Sequence, residues 1–242
     1  MKILAMDSSG LVASVALVFD GTMIAEYTTN FKKTHSQTLL PMIDEIVTMT
    51  GISLQEIDAI AVSAGPGSFT GLRIGSSTAK GLGLALKKPI ISVPTVEGLA
   101  YNLFGSEKLI CPIMDARRNQ VYTGLYTFQD GEMKIISDQK AVSIDEIVEE
   151  INVIGKEVVF LGDGVPVFKS FIEENCNISV SFAAAHMAMQ RAGAVALRAE
   201  DYYNQGKIET AKEHRPVYLR LSQAERELQE KQELEKNKNC AL

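Results

Sequence analysis

Six glycines crowd residues 63–86, SAGPGSFTGLRIGSSTAKGLGLAL, and stretches of this kind are where backbone N–H groups wrap phosphates. A P-loop requires GxxxxGK followed by Ser or Thr, and no Gly-Lys pair occurs in this stretch. The dinucleotide fingerprint GxGxxG also fails, because Gly65, Gly67 and Gly71 are spaced one residue too long. What the spacing does satisfy is a ridge: Gly71, Gly75, Ala79 and Gly83 recur every fourth residue along one helix face. Such a ridge admits a close neighbour, either this chain's own sheet or a second protein. Helical glycines at 71, 75, 81 and 83 cost about 0.5–1 kcal/mol each relative to alanine, so packing must recover the difference. Ser68 and Thr70, just before the ridge, are N-cap candidates at an anion-friendly helix start.

Few other groups are spaced for chemistry. Asp7 ends an apolar run before Ser8, Ser9 and Gly10, where its carboxylate can accept turn N–H groups or face a metal–phosphate group. Asp115 and Arg117, in MDARRNQVY, either position a ligand or close a turn as an ion pair. Gly162 and Gly164, in LGDGVPVF, mark a strand-to-helix turn that suits either a nucleotide or any tight bend. His35, His186 and His214 are scattered, and Cys111, Cys176 and Cys240 form no CxxC pair, which argues against a zinc site and against disulfides. No Ser-His-Asp or Cys-His set stands at a recognisable spacing.

The elements that must hold these groups follow from pattern. KILAMD, VASVALVF and TMIAEYTT are three strands joined by turns too short for crossovers, hence an antiparallel meander. HSQTLLPMIDEIVTMTG is an amphipathic helix with Gly51 as its stop and Pro41 expected near its first turn. A strand IDAIAVSA, the ridge helix, a strand PIISV and a short helix over VEGLAYNLF complete a β-β-β-α-β-α-β-α order. The second half repeats it loosely, with strands near 109–115, 120–128 and 132–138, a helix near 143–151 and a strand EVVFLG. A long helix is expected from Ala184 to Gln205, followed by RPVYLRL and a charged tail.

The chain has 242 residues, 46% of them apolar, and a net charge of −6, so it lacks the clustered cations that give affinity for nucleic acid. No apolar run approaches the roughly 18 residues of a membrane span, and the N-terminus is too short in apolar residues for a signal peptide. Both point to a cytoplasmic protein.

ILAMDSSGLVASVAL, HSQTLLPMID, GPGSFTGLRIGSSTAKGLGLAL, DARRNQVY and RPVYLR, in that order, resemble the TsaB (YeaZ) family of bacterial tRNA threonylcarbamoyladenosine biosynthesis proteins. The resemblance implies an α/β, actin/Hsp70-like fold of two related lobes, here divided as 1–104 and 105–221 with a tail at 222–242. It implies a non-catalytic partner of a TsaD-type transferase, working with a TsaE-type ATPase on the adenosine beside the anticodon. The catalytic relative carries a V-N-H-x-E-G-H metal motif. Thr95 and Leu99 stand at the two histidine positions, with Glu97 and Gly98 retained between them, and neither Thr nor Leu replaces an imidazole ligand.

On this reading the partner or homodimer surface lies on the two N-lobe helices, with His35, Leu39, Ile43, Gly71, Arg73, Gly75, Ala79 and Gly83 as its residues. Asp7, Ser8, Gly162 and Gly164 are candidate nucleotide contacts, and Asp115 and Arg117 candidate ligand-positioning groups between the lobes. The chain is expected to hold no cofactor or metal alone, with ATP or ADP at a composite interface and tRNA contact indirect. The competing expectation is an active ATPase or small-molecule kinase built on Asp7 and the glycine loops.

Overall fold

The computed structural model describes residues 1–31 and 34–220. The Lys32-Lys33 pair and the tail expected at 222–242 lie outside the described residues.

Alternating apolar residues build the first sheet. β1 (Lys2–Asp7), β2 (Ala13–Phe19) and β3 (Thr22–Thr29) form the antiparallel meander, and β4 (Ala59–Gly65) and β5 (Ile90–Pro94) add in parallel on the other side of β1. The strand order is β3-β2-β1-β4-β5. On β1, Leu4 and Met6 face one side, where they pack with Leu39, Ile43 and Ile46 of α1 (His35–Thr50) and Ala79 of α2 (Phe69–Leu86). Ile3 and Ala5 face the other side, against Ala192, Val195 and Ala199 of α6 (Ala192–Asn204). This alternation is the period-two geometry of a strand buried on both faces.

The second half repeats the design. β6 (Leu109–Asp115), β7 (Gln120–Gln129) and β8 (Glu132–Ser143) are antiparallel, and β9 (Val158–Leu161) and β10 (Val180–Phe182) join in parallel, in the order β10-β9-β6-β7-β8. Strand for strand, this is the order of the first sheet. Leu109, Cys111 and Ile113 face α4 (Ile144–Ile154) and α5 (Val165–Asn175), while Ile110 and Met114 face α3 (Thr95–Ala100). Thus α3 and α6 lie between the sheets, with α1 and α2 outside one and α4 and α5 outside the other.

Two expectations are corrected. Pro41 is the seventh residue of α1, not a first-turn residue. It is solvent-exposed, so the missing helix bond falls where water can replace it. The long helix from Ala184 begins only at Ala192. Residues 184–191 instead give their carbonyls to both halves: Gly162 N donates to Ala188 O at 2.7 Å, and Asn102 Nδ2 donates to Met187 O and Met189 O at 2.9 and 2.7 Å. Helical geometry there would withdraw those acceptors.

After α6 the chain returns along the first sheet. Glu209 bridges Ile90, and Val217 N donates to Ala64 O at 2.7 Å. Arg220 then reaches the second half and donates to Ala116 O.

Candidate functional site

At the end of β1, the Asp7 carboxylate accepts hydrogen bonds from Ser9 N (2.8 Å), Ser9 Oγ (2.7 Å) and Ser63 Oγ, all in buried surroundings. Burial pushes its pKa above the usual carboxylate value, against the downward pull of the Ser63 and Ser9 bonds. Ser8 Oγ donates to Gly71 O at 2.9 Å, and Ser68 N donates to Ser9 O at 2.7 Å. The turn is therefore zipped to the start of α2. Ser68 caps that helix by accepting from Gly71 N. These side-chain hydrogen bonds of Asp7 and Ser8 close the turn and tie it to β4 and α2.

The second half carries the equivalent corner. Gly162 has φ +107°, and a Cβ there would overlap the Ile113 carbonyl oxygen, so only glycine fits. Gly164 N donates to Ile113 O at 3.0 Å. Between them, Asp163 Oδ1 accepts from Asp115 N at 3.1 Å. Burial raises the Asp163 pKa, and the nearby Asp115 charge adds to that. Asp115 Oδ1 in turn accepts from Arg117 N at 2.8 Å, and Arg117 Nη1 lies 3.4 Å from Asp115 Oδ2. That is the turn-closing ion pair. With the Arg117 side chain 87% exposed, it contributes at most about 1 kcal/mol.

These two corners face one cleft of about 500 Å³ between the lobes, lined by Ser9, Gly10, Ser68, Phe69, Asp115, Arg117, Tyr122, Asp163 and Arg220 among others. The structure thus brings Asp115 and Arg117 to a common wall with the start of α2. Asp7, Ser8, Gly162 and Gly164 stand behind that wall, holding its turns. Sequence reasoning missed Asp163, Arg220 and the Phe69–Tyr218 stack, whose rings lie 4.4 Å apart and within 4° of parallel. The Gly-Asp-Gly triplet contained the signal for Asp163. Nothing local links Phe69 to Tyr218. Among the described residues, no group of three or more His, Cys, Asp or Glu side chains is placed to hold a metal ion.

The small-residue ridge faces inward. A Cβ on Gly71 would overlap Ser8 O; one on Gly75 would lie 2.6 Å from Ser8 Oγ and 3.5 Å from Val62; one on Gly83 would lie 3.3 Å from Ala211 Cβ and 3.4 Å from Ile90. Ala79 is fully buried in the same layer. Gly71, Gly75, Ala79 and Gly83 therefore seat α2 on this chain's own sheet, and Leu39 and Ile43 likewise face the core. Placing these six residues on a partner surface is corrected on that ground. His35 is half-buried, with Nε2 2.8 Å from Gly10 O. Arg73 is exposed, with Nε donating to Tyr218 Oη at 3.2 Å. Outward from the same helices point Leu40 (54% exposed), Met49 (77%) and Leu84 (67%).

On α3, Thr95 and Leu99 are enclosed in the core. Glu97 is engaged with Arg198 at 2.7 Å and accepts from Tyr202 Oη at 2.7 Å. The face is thus filled by packing and by a buried ion pair.

Two five-stranded sheets of one strand order, with α3 and α6 between them and a cleft between the lobes, define an actin/Hsp70-like protein. The TsaD family model, described as tRNA N6-adenosine threonylcarbamoyltransferase, matches residues 22–228. Over 227 residues the chain is 35% identical to the tRNA threonylcarbamoyladenosine biosynthesis protein TsaB of Bacillus subtilis (strain 168), covering 93% of this chain and 96% of that one. Identity to TsaB of Escherichia coli (strain K12) is 32% over 232 residues, covering 94% and 98%. YeaZ from Pseudomonas aeruginosa superposes with a TM-score of 0.76 at 29% identity, over 90% of this chain and 99% of that one. The chain belongs to the TsaB family.

Proposed function

We propose that this chain is a cytoplasmic, non-catalytic subunit of the machinery that makes threonylcarbamoyladenosine in tRNA. It binds and activates a TsaD-type catalytic subunit together with a TsaE-type ATPase, and the modified base is the adenosine beside the anticodon in tRNAs reading codons that begin with A. The carrying observation is a family match along almost the whole chain, joined to an α3 face whose Thr95, Glu97 and Leu99 are used up in packing and pairing. The contact surface in this reading is the outward side of α1 and α2, where Leu40, Met49 and Leu84 are exposed. In isolation the same surface serves a homodimer. ATP or ADP belongs to a composite interface, and a chain of net charge −6 leaves the main tRNA affinity to its partners.

The competing ATPase reading draws on the cleft between the lobes. Calorimetry of the pure chain with magnesium and ATP separates the two. Tight binding with turnover supports an enzyme, whereas complex formation with the catalytic subunit, without turnover by this chain alone, supports the subunit. For the contact surface, size-exclusion chromatography of the mixed proteins is the assay, and a complex that survives Leu84→Arg in a folded chain counts against it.

A further inference from the structure

The second lobe has a groove of mixed polarity remote from α1 and α2. α4 buries Ile144, Ile147, Val148 and Ile151 but leaves Val153 83% exposed. Between α4 and α5 runs a groove of about 420 Å³, with Val148 and Phe171 among its lining, Asp145 and Glu149 on the α4 side and Asn175 and Asn177 opposite. Across α4, a second groove of about 530 Å³ shares Glu149 and Val153 and adds Ile136, Glu146 and Glu150. Among the described residues, no Lys or Arg lines either groove.

The asparagine rim is held in place: Asn152 Nδ2 donates to Asn175 O at 2.9 Å, and Asn177 N donates to Asn152 Oδ1 at 2.7 Å. Three of the four carboxylates already have partners within the chain: Glu146 completes the cap at Ser143, Glu150 pairs with Lys140, and Asp145 Oδ2 accepts from Asn119 Nδ2 at 3.2 Å, which leaves its second oxygen open. Glu149 makes no hydrogen bond or ion pair among the described residues. An acidic wall repels RNA phosphate. A bare aliphatic ridge beside carboxylates without lining cations matches a helix with one apolar face flanked by Lys or Arg.

We propose that the α4–α5 groove docks a basic amphipathic helix of a partner protein, its aliphatic side chains covering Val153 and Phe171 and its cations meeting Asp145 and Glu149. The groove lies outside the second sheet, so it can be occupied while the surface outside the first sheet is engaged.

The test is an NMR titration of the isotope-labelled full chain with synthetic peptides of about 18 residues, long enough to form a helix. One carries leucine and lysine at amphipathic spacing, one is its scrambled isomer, and one has glutamate in place of lysine. Shifts at 145–153 and 171–177 with the first peptide alone are expected. Glu149→Lys and Val153→Asp, both surface changes, should each weaken it roughly 10-fold, about 1.4 kcal/mol, with unchanged Tm. Equal binding of the scrambled or glutamate peptide, shifts elsewhere only, or unchanged affinity in both variants overturns the proposal. So does self-association that Val153→Asp abolishes, which would make the occupant a second copy, or displacement of the same signals by tRNA.

Discussion

Gly71→Ala and Gly81→Ala place the same methyl group on the same helix and should move stability in opposite directions. Around Gly81 nothing lies within 4 Å of an added Cβ, and the site is exposed. Alanine there gains about 0.5–1 kcal/mol from helix propensity and a less flexible unfolded chain. At Gly71 the methyl overlaps the backbone carbonyl of Ser8, which no rotamer change can relieve. Ser8 is further fixed by its bond to Gly71 O, so the helix start and the β1 turn must separate. Overpacking of this kind costs about 1–3 kcal/mol, and the propensity gain near a helix start offsets only part of it. At about 2–4 °C per kcal/mol for a chain of this size, Gly81→Ala should raise Tm by roughly 1–4 °C and Gly71→Ala should lower it by several degrees. Urea unfolding followed by circular dichroism, with midpoints compared at constant m-value, gives the free energies directly. Equal stability of the two variants would refute the seating of α2 on the β1 turn, and with it the assignment of the ridge to the protein's own interior.

Asp7→Asn should keep the turn, because an amide oxygen accepts from Ser9 and the Ser63 hydroxyl can rotate to accept from the amide nitrogen; the stability change expected at neutral pH is within about 1 kcal/mol. Burial raises the folded-state pKa of Asp7 above its ordinary 3.8, so wild-type stability from this group falls as pH rises from 3.8 through the folded value. Urea midpoints across that window should be flatter in the variant, and an unaltered slope would contradict the assignment. Arg198→Ala strands the Glu97 carboxylate, since both side chains are 8% exposed; a loss of about 3–5 kcal/mol should appear as a lowered urea midpoint. Met49→Asp combined with Leu84→Asp should leave Tm within about 2 °C, as both sites are exposed, yet abolish co-elution with the catalytic subunit.

Elements with a strong local pattern were legible in the sequence. The meander, α1 and α2 all follow from alternation, helical spacing and the stop at Gly51, which does adopt the left-handed cap conformation. Three-residue β10 has too short a run to show alternation. Residues 184–191 carry helix-favouring alanine and methionine, but their carbonyls are claimed by Gly162 and Asn102, so tertiary demand overrode propensity. The ridge spacing was visible, yet which side of α2 meets the sheet depends on Ser8 and Val62. Those residues arrive from the turn after β1 and from β4. Asp115 and Arg117 were found from their polarity at a strand end, whereas the Phe69–Tyr218 stack exists only because the chain after α6 returns past Ala64.

Reconstitution of tRNA threonylcarbamoylation is the most direct test of the proposed role. The assay combines unmodified tRNA, the threonylcarbamoyl-AMP donor, magnesium and ATP, the TsaD-type subunit and the TsaE-type ATPase, and is run with this chain, without it, and with this chain as the sole protein. The account predicts modified adenosine only in the complete mixture, none from this chain alone, and retained activity with Asp7→Asn. Full activity when the chain is left out, or modification by the chain alone, would contradict it.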